Sequence, residues 1–124
     1  MSVARQAYAH DAVVAMQPGG SPNALGGVIT VALCGRWDHE PPCPLAPHYV
    51  TALPDGETLA VRILFATEPA NEQHVRTLIG EALASGQLTG PDGGVAMWQL
   101  RSATPANVRP DEADHAAELV AAGR

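Results

Sequence analysis

Two hydrophobic periods divide the chain. Between residues 49 and 66 the period is two. Residues 49–53 and 59–66 are rich in β-formers, and Pro54, Asp55, Gly56 and Glu57 lie between them. Proline presets φ and glycine accepts positive φ, so this stretch predicts a β-hairpin. In its second strand Leu59, Val61, Ile63 and Phe65 share one face, which must be buried. From Pro69 the period becomes 3.6. Val75, Leu78, Ile79, Ala82 and Leu83 form one apolar stripe, with Glu72, Gln73, Arg76 and Thr77 off it. Glu72 precedes Arg76 in the favourable i,i+4 order, and Gly86 is a natural stop, so an amphipathic helix is expected here.

The remaining segments follow by the same rules. Residues 28–34 are β-branched and apolar on both faces, as in a central strand. Residues 11–16 fit a short strand or a helical turn, and residues 17–27 read as a Gly/Pro loop. The glycines of that loop match neither the dinucleotide fingerprint nor the Walker pattern. A second Pro-Asp-Gly turn at 90–94 leads into a strand at 95–102. Residues 110–122 begin with proline and acids and end before Gly123, which predicts a second helix with Ala113, Ala116, Ala117 and Val120 on its apolar face. The expected fold is an α+β domain: a mostly antiparallel four- to five-stranded sheet with two helices on one face, ferredoxin-like. Residues 1–26 would be an N-terminal arm and loop, and 27–124 the domain.

Composition excludes several classes. The 124 residues suit one domain and are 46% hydrophobic, as in a globular chain. Every basic residue is arginine, and the seven arginines are scattered against thirteen acids, for a net charge of −6. No basic stripe exists to neutralise phosphates, so neither nucleic acid nor an anionic membrane is an expected partner. The longest apolar run, 28–34, is far short of the ~20 residues of a spanning helix. His10 and Asp11 interrupt any secretory h-region, so the expected compartment is the cytoplasm, where cysteines are thiols or ligands.

Candidate chemistry concentrates between Cys34 and His48. Both cysteines, two of the five histidines and four prolines lie in this stretch. Cys34, His39, Cys43 and His48 form C-x4-H-x3-C-x4-H, the ligand set of tetrahedral Zn²⁺, without the tight knuckle of standard fingers. Pro41, Pro42, Pro44 and Pro47 would stiffen the loop, and Asp38 or Glu40 would orient His39. Such a soft site would also accept Cu(I). The leading expectation is a noncatalytic metal-binding domain with zinc on these four residues. One alternative is a metal-free ligand- or protein-binding module, compatible with a homodimer through a sheet face or edge, in which the loop is plain connection. Another is thiol chemistry: a Cys34–Cys43 redox switch, or a Cys43 nucleophile with His39 or His48 as base. No oxyanion hole or third catalytic member is recognisable. Asp111, His115 and Glu118 share one side of the last helix and read as a solvated face, His74 as a surface residue, and Trp37 and Trp98 as core anchors.

Overall fold

The computed structural model describes residues 5–17, 23–34, 46–89 and 93–122. Eight regular elements follow in order: β1 (Gln6–Met16), α1 (Asn23–Cys34), β2 (His48–Asp55), β3 (Thr58–Thr67), α2 (Glu72–Ala84), β4 (Gln87–Thr89), β5 (Val95–Ala106) and α3 (Ala113–Ala122). Single 3₁₀ turns, Pro69–Asn71 and Pro110–Glu112, lead into α2 and α3. All five strands pair antiparallel in the order β2-β3-β1-β5-β4.

The flat, two-helix ferredoxin-like sheet expected from the sequence is overturned. The sheet curls into a half-barrel, with α1 touching both outer strands, and the described residues form three helices, not two. Helices α1 and α2 cover one face and α3 packs on the other, against β3 and β1. Residues 28–34, expected as a strand, form the body of α1. The reason is topological. Strand β1 is already flanked by β3 and β5, and β2 runs parallel to it two places away. A parallel crossover is made by a helix. Buried Leu25, Val28, Ile29 and Leu33 fall at helical spacing, so burial outweighs the β-propensity of the run.

The segment read as an N-terminal arm contains the middle strand of the sheet, since β1 pairs with β3 on one side and β5 on the other. The hairpin is where the period of two put it, with strand pairing continuing through Pro54 and Asp55 to a two-residue turn at Gly56 and Glu57. Gly56 takes φ +64°, as the first position of a type II′ turn requires. Val61, Ile63 and Phe65 are buried against α1 and α2, joined by Ala12 and Val14 of β1 and Trp98 of β5. The indole Nε1–H of Trp98 donates to the Leu83 carbonyl at 2.8 Å.

Gly86 ends α2 at φ +73°, and a Cβ there would lie 2.9 Å from the Trp98 carbonyl oxygen. Gly86→Ala is therefore expected to cost about 1–3 kcal/mol, seen as a lower urea midpoint at unchanged m. On α3 the buried residues are Ala116 and Leu119, with Val120 beside them, whereas Ala113 and Ala117 are exposed. The expected alanine face is thus corrected by a rotation towards Leu119, the side chain with most area to bury.

A polar cluster lies at the border of the main core, where the Arg76 side chain of α2 reaches β1. The Arg76 guanidinium donates to the Ala9 carbonyl at 2.6 Å, to His10 Nδ1 at 3.1 Å and to Glu72 at 2.8 Å. It also lies over the rings of Tyr8 and Phe65. A guanidinium only donates, so His10 Nδ1 is an acceptor and the imidazole is neutral. Burial, with Arg76 beside it, lowers the His10 pKa, which Asp11 only partly offsets.

Candidate functional site

Alternation puts the second face of the sheet on Ala9, Asp11 and Val13 of β1, Arg62 and Leu64 of β3, and Tyr49, Thr51 and Leu53 of β2. Helix α3 covers one end of this face through Leu119, packed on Ala9, Leu64 and Ala66. Among the described residues no element covers the other end, because the ten-residue α3 is too short to cross it.

Arg62 stands at the boundary between covered and open sheet. Its Nη1 donates to Asp11 at 2.9 Å, its Nη2 to Glu112 at 2.7 Å and to the Asn107 carbonyl at 2.6 Å, and its Nε to Glu112 at 3.2 Å. The two-pronged contact with Glu112 pins the turn before α3 to the middle of the sheet. Glu112 also accepts from the Arg109 backbone N–H at 2.9 Å, capping that turn. The Arg62 hydrogen bond, followed by that of Arg109, holds the Glu112 carboxyl below its ordinary pKa against the opposing effect of burial, and Arg62 is raised in turn, chiefly by Glu112. Arg62 is therefore a structural clamp.

Around this clamp runs a groove. Its larger part, about 410 Å³, is lined by Asp11, Val13, Thr51, Leu53, Ala60, Arg62, Ser102, Thr104, Arg109 and Glu112 among others. A smaller recess of about 160 Å³ continues under α3, sharing Thr51, Arg62 and Glu112 and adding Tyr49, Asp111 and His115. The His115 and Tyr49 rings stack with centroids 4.3 Å apart. The floor is apolar (Val13, Leu53, Ala60) and the walls carry hydroxyls and the exposed guanidinium of Arg109. No nucleophile–base pair within hydrogen-bond reach is found among its described side chains.

Sequence reasoning missed most of this groove. Arg62 was noted only as one of the scattered arginines, and Asp11 only as an interruption of an apolar run. The available signal was a charge inside each of two β-rich runs, but nothing in sequence pairs residues 50 and 51 positions apart. His115, read as part of a solvated face, is half-buried against Tyr49, whereas Asp111 and Glu118 are exposed.

Of the four candidate zinc ligands, His39 and Cys43 lie outside the described residues. Cys34 is the last residue of α1, and His48 is the first of β2. The His48 ring bridges the two elements: Nδ1 lies 3.0 Å from the Ala46 carbonyl and Nε2 2.9 Å from Thr30 Oγ1. The carbonyl only accepts, so Nδ1 carries a proton and donates to it. Among the described residues no three His, Cys, Asp or Glu side chains converge as a metal site would require. No helix among them is long and apolar enough to cross a membrane.

Comparison of the chain with protein-family models, curated proteins and solved structures returned no match.

Proposed function

We propose that this chain is a noncatalytic binding domain whose ligand lies in the groove beside α3, a small molecule joining an apolar body to a carboxylate. The lining carries this reading: apolar Val13, Leu53 and Ala60 next to the hydroxyls of Thr51, Ser102 and Thr104 and the exposed Arg109. The apolar floor would take the body and Arg109 the anion, because Arg62 is already held by Asp11 and Glu112. Nucleic acid is not among the proposed partners, since Arg62 and Arg76 are paired internally.

Benzoate and hexanoate serve as probes. Titration is expected to move the backbone NMR signals of Thr51, Ala60, Ser102 and Thr104 saturably. Arg109→Gln should weaken binding about tenfold or more, the worth of one hydrogen bond to a charged group. Linear, unsaturated shifts, or shifts centred away from the groove, would sink the assignment.

A second reading rests on His48. A carbonyl on Nδ1 orients the ring and presents Nε2, the arrangement found in metal-ligating histidines. That nitrogen faces α1 at Thr30, and Cys34 lies one helical turn further along. On this reading Cys34, His39, Cys43 and His48 hold Zn²⁺ once the Thr30 hydroxyl gives way. Elemental analysis of purified protein should then find one zinc per chain, lost in Cys34→Ser/Cys43→Ser. A folded wild type without stoichiometric metal removes this reading and leaves the groove untouched.

A further inference from the structure

Register sorts the floor of the groove into two rows that cross the strands. In the first, Leu53 opposes Ala60, Ala60 opposes Val13 and Val13 opposes Ser102. In the second, Thr51 opposes Arg62, Arg62 opposes Asp11 and Asp11 opposes Thr104. The rows lie about 6.8 Å apart, two residues along an antiparallel strand. The first is apolar except at Ser102; the second is polar throughout. Most hydrogen-bonding capacity beside the second row is already used. All three Arg62 nitrogens donate to Asp11, Glu112 or Asn107, and both Glu112 oxygens accept. The Thr51 hydroxyl donates to the Arg62 carbonyl. Asp11 is the exception. Its Oδ1 takes the Arg62 guanidinium, while its Oδ2 accepts from no described residue, and the side chain is 44% exposed. On β5, the hydroxyls of Thr104 and Ser102 are likewise engaged by no described residue.

We propose, building on the carboxylate-binding reading of this groove, that its ligand also carries a hydroxyl, which donates to Asp11 Oδ2. An apolar body resting on Ala60 and Val13 lies one row from Asp11, so a hydroxyl on its edge reaches Oδ2 without displacing Arg62 from Oδ1. Thr104 stands opposite Asp11, about 5 Å across the strands, and can donate to the oxygen of the same hydroxyl. A carboxylate takes only a donor, so an ether at this position gains nothing from Asp11. A neutral donor fits better than an ammonium. Arg62 already shares the Asp11 charge and the exposed guanidinium of Arg109 lines the same groove, so a further cation would meet two like charges. Ala60 leaves the room for the body, a single methyl between Leu53 and Val13.

Calorimetric titration of the full chain with substituted benzoates tests the hydroxyl. At least one of meta- and para-hydroxybenzoate is expected to bind about tenfold tighter than benzoate, the worth of one hydrogen bond to a charged group, and to shift the Asp11 and Thr104 amide signals. The methoxy analogues accept but cannot donate, and should bind no tighter than benzoate. Meta-aminomethylbenzoate should bind more weakly than the hydroxybenzoates. Asp11→Asn keeps an amide oxygen for Arg62 but puts a donor in place of Oδ2, so it should bring hydroxybenzoate down to the affinity of benzoate, with circular dichroism unchanged. The methoxy comparison uses the wild type and decides even where Asp11→Asn weakens the fold. Hydroxybenzoates no tighter than benzoate, methoxy analogues as tight as the hydroxybenzoates, an aminomethyl probe tighter than both, or an advantage that survives in a folded Asp11→Asn each overturns the proposal. Saturable benzoate binding with no gain from the hydroxyl leaves the carboxylate reading standing and removes only this one. Where none of these acids binds, both fall.

Discussion

Replacing Arg76 by methionine is expected to lower the unfolding free energy by about 3–4 kcal/mol, within the range for removing one partner of a buried, hydrogen-bonded charge pair. Methionine approximates the length of the arginine stem, so the loss comes from the guanidinium and less from a cavity. Three acceptors lose their donor: the Ala9 carbonyl, His10 Nδ1 and the Glu72 carboxylate. The first two are buried and bear most of the cost. Glu72 is partly exposed and can be rehydrated. The cation held over Tyr8 and Phe65 disappears as well. Urea unfolding measures the effect. Arg76→Lys should recover less than half of it, because one ammonium cannot reach three acceptors in the fork geometry of arginine. A loss below about 1 kcal/mol would mean that the cluster is not a stabilising feature.

The same cluster sets a pH dependence. The folded-state pKa of His10 is lowered, by burial first and by Arg76 second. The unfolded chain therefore binds the proton more readily. Stability from neutral His10 is complete above its ordinary value, about 6.5, and is lost as pH falls through the folded value. His10→Gln should flatten the urea midpoint between pH 7 and that lower value.

Arg62→Ala is the second large effect, expected at about 2–3 kcal/mol and concentrated on α3. Arg62 is only 12% exposed, and its removal leaves the Glu112 carboxylate partly buried without its two-pronged partner. Helix α3 then keeps Leu119, Ala116, Val120 and the His115–Tyr49 contact on the sheet. Amide hydrogen exchange should show α3 losing protection before the core of β1, β3 and α2. Acid provides a second signature. The Glu112 pKa is depressed in the folded chain, chiefly by Arg62, so its contribution is present above the ordinary carboxylate value and lost as pH falls below it. Arg62→Ala should abolish most of that acid-side slope. Equal loss of protection across all elements would instead make α3 part of one cooperative unit.

The sequence was legible wherever a local rule determined structure. Period two and the Pro-Asp-Gly turn placed the β2–β3 hairpin, period 3.6 placed α2, and Gly86 marked its end. Each is decided by residues within a few positions of one another. Two helix/strand choices escaped because both answers suit the local pattern. An apolar run such as residues 28–34 buries equally well as strand or helix, and only the crossover between parallel β1 and β2 selects the helix. Residues 6–16 became the middle strand because β3 and β5, over 40 positions away, pair with both of its sides. The groove was illegible for the same reason. By itself the sequence determined where the β2–β3 hairpin and α2 form and how little basic charge could serve phosphate. The tertiary structure alone decided that Arg62 meets Asp11 and Glu112, and that Asp11 and Thr104 stand opposite each other in one groove. A strand's partners and the side it turns outward depend on long-range pairing, which local composition does not encode.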